Sequence, residues 1–158
     1  MTLISPIKML TDNYGRRVSY LRISVTDHCN FHCCYCNPGE ETQLLRNEEI
    51  LTYTEIMEVV KTAVGLGITK FRITGGEPLA RPGITDFLGM LRRTPGVEWV
   101  SLTTNGFLLA RYYQDLKRIG LNGINVSLNS LDETTFERMT GVRAFRQVLT
   151  GLEALWTA

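Results

Sequence analysis

The stretch Y-L-R-I-S-V-T, residues 20–26, alternates strictly between apolar and polar side chains. Because successive side chains of a β-strand point to opposite faces, this alternation predicts a strand with one apolar and one polar face. The same pattern returns at K-F-R-I-T (70–74), W-V-S-L-T (99–103) and I-N-V-S-L (124–128). Each stretch is followed by apolar residues at helical spacing. The order predicts four βα units, the last followed by two short helices.

Consecutive βα units predict an α/β fold, because right-handed crossovers produce a parallel sheet covered by helices. Parallel strands are normally apolar on both faces, whereas these are apolar on one face only. We therefore expect the apolar face to pack on helices and the polar face to line the inside of a partial (βα) barrel. A one-sided antiparallel sheet with a solvated face alternates as cleanly and is the alternative, which the intervening helices disfavour.

Capping-box patterns mark two predicted helix starts. Thr52 is followed three residues later by Glu55, and Ser130 by Glu133. In such a box the hydroxyl accepts a hydrogen bond from the backbone of the acidic residue, whose carboxylate reaches back to the cap. A later glycine, Gly120, is the predicted end of the third helix.

The polar strand positions carry groups suited to an anionic ligand. An interior that holds two arginines and several hydroxyls is not a dry core, so these positions predict a cavity for a polar, anionic ligand. The positions are Arg22, Ser24 and Thr26; Arg72 and Thr74; Ser101 and Thr103; and Asn125, Ser127 and Asn129.

All four cysteines fall within C-N-F-H-C-C-Y-C, residues 29–36. This stretch belongs to a long connection from about residue 27 to residue 52, and a loop of that length in a compact domain is usually functional.

Three of the cysteines, Cys29, Cys33 and Cys36, have the spacing C-x3-C-x2-C. Three thiolates on a short loop can bind a [4Fe–4S] cluster, or occupy three positions of a zinc ion. His28 and His32 are nearby candidates for the fourth zinc ligand. Unliganded thiols are the remaining alternative.

Charge and composition argue against several classes of partner. The 17 basic and 16 acidic residues give a net charge of +1 without a long run of one sign, so neither nucleic acid nor a membrane is an expected partner. The first residues resemble no signal peptide, and no apolar stretch is long enough for a bilayer. We therefore expect the cytoplasm, where clustered cysteines bind metal or do redox chemistry more often than they form disulfides.

The cysteine spacing, with Tyr35 just before the third cysteine, resembles the signature of radical S-adenosylmethionine (SAM) enzymes. T-G-G-E-P at 74–78 strengthens the resemblance, although a plain turn would also explain Gly75 and Gly76. The resemblance implies a βα barrel and a [4Fe–4S] cluster on three cysteines, whose open iron binds SAM. Reductive cleavage of SAM then yields a 5′-deoxyadenosyl radical.

Longer stretches resemble, within that family, the GTP 3′,8-cyclases of molybdenum cofactor biosynthesis. The resemblance runs from about Leu10 to the end of the sequence. It implies a lyase whose radical abstracts hydrogen from the ribose of GTP, with an electron donor such as flavodoxin or ferredoxin, and a homo-oligomer is a further expectation. The stretches are L-R-I-S-V-T-D-H-C-N-F-H-C-C-Y-C, F-R-I-T-G-G-E-P-L, L-T-T-N-G and I-N-V-S-L-N-S-L.

This closer resemblance implies a role for nine residues and leaves Cys34 without one. Structural alternatives are that an arginine pairs with a carboxylate inside the barrel, and that Thr103 or Asn105 only caps a turn. The implied sets are the cluster ligands Cys29, Cys33 and Cys36, the SAM contacts Tyr35, Gly76 and Ser127, and the GTP contacts Arg22, Arg72 and Thr103.

The sequence also departs from the cyclase pattern. The family's chains are longer and carry a second, C-terminal cysteine triad, whereas no cysteine follows Cys36 here. We therefore expect residues 1–158 to be the N-terminal part of a truncated barrel without the second cluster, whose activity alone is in question. Asn129 stands where the family usually has Asp. A radical SAM enzyme for another substrate, such as a peptide or sugar, and an inactive metal-binding module are the alternative functions.

Overall fold

The computed structural model describes residues 9–36 and 44–156, so the middle of the cysteine-bearing connection, 37–43, lies outside the described residues. The strands are β1 (Tyr20–Ser24), β2 (Lys70–Thr74), β3 (Trp99–Thr104) and β4 (Gly123–Val126). The α-helices are α1 (Tyr53–Gly65), α2 (Ile84–Arg92), α3 (Leu109–Ile119), α4 (Glu133–Thr140) and α5 (Phe145–Trp156). Short 3₁₀ helices span Asn47–Glu49 and Pro78–Ala80.

The four strands form one parallel sheet in the order β1-β2-β3-β4. This arrangement confirms the predicted α/β fold with its four βα units and rules out the antiparallel alternative. Residue 22 pairs with 72, 72 with 101, and 101 with 123, so one row of the polar face crosses all four strands. The strand ends differ from the prediction by at most two residues.

The apolar face of the sheet is buried under the helices, as the alternation predicted. Phe71 and Leu102 on the strands and Phe87 and Leu88 on α2 are all fully buried within one core. Burying a side chain of this size stabilises the fold by about 1.5–3 kcal/mol. No helix in the described part of the chain is long and apolar enough to cross a bilayer.

The helix starts give one confirmed cap and one correction. At α1, Glu55 N donates to Thr52 Oγ1 at 3.2 Å, and Thr52 N donates back to Glu55 Oε2 at 2.7 Å. The box predicted for Ser130 and Glu133 is wrong, because α4 begins at Glu133 and is capped by Asp132, which accepts from Thr135 N at 2.8 Å. Ser130 lies too far from the first turn to cap it, and its hydroxyl accepts from Asp132 N instead.

Candidate cofactor and substrate site

Loops from all four strands meet at the carboxyl edge of the sheet. The cysteine loop follows β1, G-G-E-P follows β2, T-N-G completes β3, and Ser127 follows β4. Backbone hydrogen bonds join neighbouring loops: Gly76 N donates to Thr26 O at 2.7 Å, and Ser127 N donates to Thr104 O at 2.9 Å. The parallel topology therefore brings the residues implied as cluster and SAM contacts to one edge.

The cysteine loop is fixed to the fourth βα unit. Phe31 is buried, and its ring meets those of Phe107 and Phe136 edge-on at centroid distances of 6.0 and 6.1 Å. His32 N donates to Thr140 O at 2.9 Å, and Cys34 N donates to Met139 O at 3.0 Å. The last carbonyls of α4, which have no partner within the helix, thus hold the loop's backbone.

All four cysteines are free, and only Cys33 is buried. Partial burial raises the pKa of the Cys29 thiol, a hydrogen bond from Phe31 N partly offsets this, and the charges of Glu77 and Cys33 raise the pKa further. Partial burial also raises the pKa of Cys36, with added contributions from Cys33 and Cys29. Metal binding requires thiolates, so a bound metal would have to displace these protons.

This donor set fits an iron–sulfur cluster by its chemistry. Cys29, Cys33 and Cys36 are free thiols on one loop whose charges influence one another. In residues 9–36 and 44–156, no three His, Cys, Asp or Glu side chains converge on a point that could hold a single metal ion. The ligands of a cluster need not converge in this way, because each cysteine binds a different iron.

The glycine pair allows the G-G-E-P backbone to pack against the cysteine loop. A Cβ on Gly75, whose φ is +148°, would lie 2.4 Å from Thr26 O. A Cβ on Gly76 would lie 2.2 Å from His28 O. Both distances are far inside van der Waals contact, so only glycine fits. The pair is therefore more than a plain turn, because it seats β2's loop on β1's loop.

Behind the glycines lies a fully buried carboxylate to which sequence reasoning gave no role. Glu77 accepts hydrogen bonds from Asn105 N at 2.7 Å, Thr104 Oγ1 at 2.8 Å and Leu79 N at 2.9 Å. Burial raises the pKa of Glu77, and these three hydrogen bonds partly offset the effect. The G-G-E-P motif contains this residue, but burial and remote partners cannot be read from a motif.

The hydroxyl of Tyr35 lies near Asn129, in the connection after β4, and near Cys33 of its own loop. The side chain is half exposed, and its hydroxyl accepts from Asn129 Nδ2 at 2.6 Å. Partial burial and the neighbouring Cys33 thiol raise the pKa of this phenol, so it stays protonated. Asn129, where the sequence departs from the cyclase pattern, therefore contacts the cysteine loop.

The residues implied as GTP contacts lie on the polar face of the sheet. Arg22 and Arg72 are paired in register, and Arg72 Nε donates to Ser101 Oγ at 3.3 Å. No ion pair in the described ranges includes either arginine, so pairing with a carboxylate is not found there. Thr103 lies on β3, paired in register with Asn125. Like charges at neighbouring positions of a sheet repel one another, so an anion bound near both arginines would be favourable.

Asn105 caps a turn, as the structural alternative held. Its Oδ1 accepts from Phe107 N at 3.0 Å. Its amide nitrogen also donates to Asn30 Oδ1 at 2.8 Å and to Cys29 Sγ at 3.8 Å. The contact between the Asn105 amide and Cys29 Sγ was not predicted, because the two residues are 76 positions apart in the sequence.

The described chain is a sheet of four parallel βα units with four free cysteines in the loop after its first strand. The model of the Radical SAM superfamily matches residues 23–155, and the chain belongs to this superfamily. Among solved structures, Streptococcus suis SuiB bound to the precursor peptide SuiA has a TM-score of 0.63 at 23% identity, covering 84% of this chain and 29% of that one. SuiB bound to S-adenosylmethionine gives 0.62 at 21% identity, covering 84% and 28%. These likenesses show a shared fold.

Relatives within the superfamily are more similar in sequence. The GTP 3′,8-cyclase of Thermodesulfovibrio yellowstonii is 48% identical over 91% of this chain, which covers 45% of that protein. The GTP 3′,8-cyclases of Petrotoga mobilis and Geobacter sulfurreducens are 43% and 44% identical over 92% of the chain, which covers 45% and 44% of them. The chain thus spans a little under half the length of these relatives.

Proposed function

We propose that this chain is the radical-generating part of a cytoplasmic GTP 3′,8-cyclase. Cys29, Cys33 and Cys36 would hold a [4Fe–4S] cluster at the carboxyl edge of the sheet. When bound, the cluster supplies the electron that cleaves SAM, so that a 5′-deoxyadenosyl radical can abstract hydrogen from the ribose of GTP. An electron donor of the flavodoxin or ferredoxin type would reduce it.

The chain's own residues bind and orient the two small molecules. Tyr35, Gly76 and Ser127 come from three loops at the carboxyl edge and would contact SAM. The buried contacts of Phe31 fix the cysteine loop against α4 and α5, so the edge is preorganised. Preorganisation matters because a radical must form beside the atom from which it takes hydrogen.

One observation carries the substrate assignment. Arg22 and Arg72 are paired in register on the polar face, without a carboxylate partner in the described residues, on the strands that lead into two of the four loops at the edge. A triphosphate supplies the charge that such a pair lacks, and guanidinium groups bind phosphate oxygens bidentately. Thr103 adds a hydroxyl on the neighbouring strand. The pair therefore supports GTP over a neutral substrate.

The test is anaerobic reconstitution of the purified chain with iron and sulfide. We expect a broad visible absorption, a signal in electron paramagnetic resonance (EPR) after reduction, and a change of that signal when SAM is added. Calorimetry should then detect GTP binding to the reconstituted protein. The same measurements on a Cys29→Ser variant give the matched control, which should show no cluster signal.

The outcomes separate the competing functions. Stoichiometric zinc that iron does not displace would identify a metal-binding module. A cluster whose EPR signal responds to SAM, in a protein that does not bind GTP, would identify a radical SAM protein with another substrate. Either result contradicts the cyclase proposal.

A further inference from the structure

The amide of Asn105 connects the loop after β3 to the cysteine loop. Its nitrogen donates to Asn30 Oδ1 at 2.8 Å and lies 3.8 Å from Cys29 Sγ. Its oxygen accepts from Phe107 N at 3.0 Å. Both ends of this side chain are therefore fixed, with an N–H directed at a sulfur.

The backbone of Asn105 is held by the buried Glu77. Asn105 N donates to Glu77 Oε2 at 2.7 Å, and Thr104 donates its hydroxyl to the other carboxylate oxygen at 2.8 Å. The Thr104 hydroxyl oxygen in turn accepts from Gly106 N at 3.1 Å. Breaking such a buried network leaves unsatisfied polar groups, which is costly. The network therefore keeps the turn, and with it the amide, in one position.

Cys29 differs from the other cysteines in the donors that reach its sulfur. Phe31 N lies 3.4 Å from Cys29 Sγ, and Asn105 supplies a second N–H from a remote loop. The Phe31 donor is a backbone N–H, whereas the Asn105 donor is a side-chain amide that a conservative substitution removes. Hydrogen bonds to cluster sulfurs stabilise the extra negative charge of the reduced state and so raise the reduction potential.

We infer that Asn105 is a positioning residue that sets the reduction potential of the cluster through its hydrogen bond to Cys29, with Glu77 holding the amide in place. This inference rests on the proposed function, since it needs a cluster on Cys29. Asn105 contributes no cluster ligand. It makes reduction easier by presenting one N–H to a ligand sulfur.

The experiment is a redox titration of the reconstituted protein, followed by EPR, for the wild type and two variants. Asn105→Ser keeps an oxygen that can cap the turn at Phe107 but loses the amide. Asn105→Asp keeps the size and the turn acceptor but has no N–H to donate. We expect the ratio of reduced to oxidised cluster, measured at the wild-type midpoint, to fall at least tenfold, which for one electron is a shift of about 59 mV.

The matched control is Asn122→Ser. Asn122 lies just before β4, at the opposite end of the strands, and its Oδ1 accepts from Val100 N at 2.8 Å. This variant therefore makes the same Asn-to-Ser change at a similar backbone contact far from the cysteines. Its midpoint should equal that of the wild type. Normal iron content with an unchanged potential in both Asn105 variants would overturn the inference. So would an equal shift in the control, or loss of iron from both Asn105 variants, which would indicate a scaffold role. A wild-type protein that takes up no cluster would overturn the proposed function as well.

Discussion

At the scale of single residues, neighbouring thiols of the cysteine loop differ in their surroundings. Cys34 is exposed, and its backbone N–H is committed to Met139 O of α4. The mutual charge effects that raise the pKa of Cys36 come first from Cys33 and Cys29, with Cys34 contributing least. The C-x3-C-x2-C spacing of the other three cysteines leaves Cys34 outside the proposed ligand set.

We predict that Cys34→Ser retains the iron of the reconstituted wild type, because its backbone contact with α4 does not need the sulfur. Cys36→Ser is the matched comparison, since Cys36 is also an exposed thiol on the same loop, and it should retain several-fold less iron. Iron and sulfide analysis after desalting measures both. Equal loss of iron from the two variants would contradict the assignment.

At the scale of elements, the end of α4 supports the site. Gly141 ends this helix with φ +73°, and a Cβ there would lie 2.9 Å from His32 O. The carbonyls of Thr140 and Met139 receive the loop's N–H groups just before it. The helix end and the cysteine loop are thus packed backbone to backbone, and a side chain would separate them.

We predict that Gly141→Ala lowers the free energy of unfolding by more than Gly120→Ala does. Gly120 ends α3 with φ +75° and has no atom within 4 Å of a built Cβ, so alanine there costs only the left-handed conformation, roughly 1–2 kcal/mol. Gly141→Ala adds a clash with the loop backbone.

Urea unfolding of the two variants measures the difference, and iron retention after reconstitution shows whether the loop has moved. We expect Gly120→Ala to keep the wild-type iron content and Gly141→Ala to lose part of it. Equal unfolding energies together with equal iron contents would mean that the end of α4 plays no part in holding the loop.

At the scale of the whole molecule, the two faces of the sheet differ: one packs on helices and the other carries polar side chains. The apolar face is covered by α1, α2 and α3, while the polar face carries the row that starts with Arg22 and Arg72. The loops at the carboxyl edge adjoin this polar face. A substrate held on the face would therefore lie beside the proposed cofactor site at the edge.

We predict that replacing both Arg22 and Arg72 with alanine weakens GTP binding at least tenfold, about 1.4 kcal/mol, since charge-assisted contacts are each worth ~1.5–3 kcal/mol. Iron content should be unchanged, because neither residue belongs to the cysteine loop. Calorimetry on the reconstituted protein measures the affinity.

The control for this pair removes the same charge from the helical side. Lys61 on α1 and Arg118 on α3 are exposed and pair with Glu58 and Asp115 of their own helices. Their double alanine variant should bind GTP with wild-type affinity. An equal loss of GTP affinity in the control variant would show that net charge alone explains the effect. It would contradict the assignment of the two arginines to the substrate site.

Local patterns were enough to predict the elements and their faces. Alternation in residues 20–26 and its repeats predicted the strands and which side is apolar, because side chains of a strand point to opposite faces wherever it lies. The capping box at Thr52 and the end of α3 at Gly120 depend on neighbours within four residues, so they too could be predicted. The spacing of the cysteines predicts a metal site, which stays a prediction.

The tertiary structure alone decided which remote groups meet. The sequence showed neither that Glu77 would be buried beneath Asn105 nor that α4 would hold the cysteine loop, since these contacts join residues 28 and about 105 positions apart. One local prediction was also wrong: Ser130 was predicted to cap α4, but the cap is Asp132, a second polar residue two positions further on. The physical reason is that strand register and crossover geometry bring separate loops to one edge, and no local pattern encodes that register.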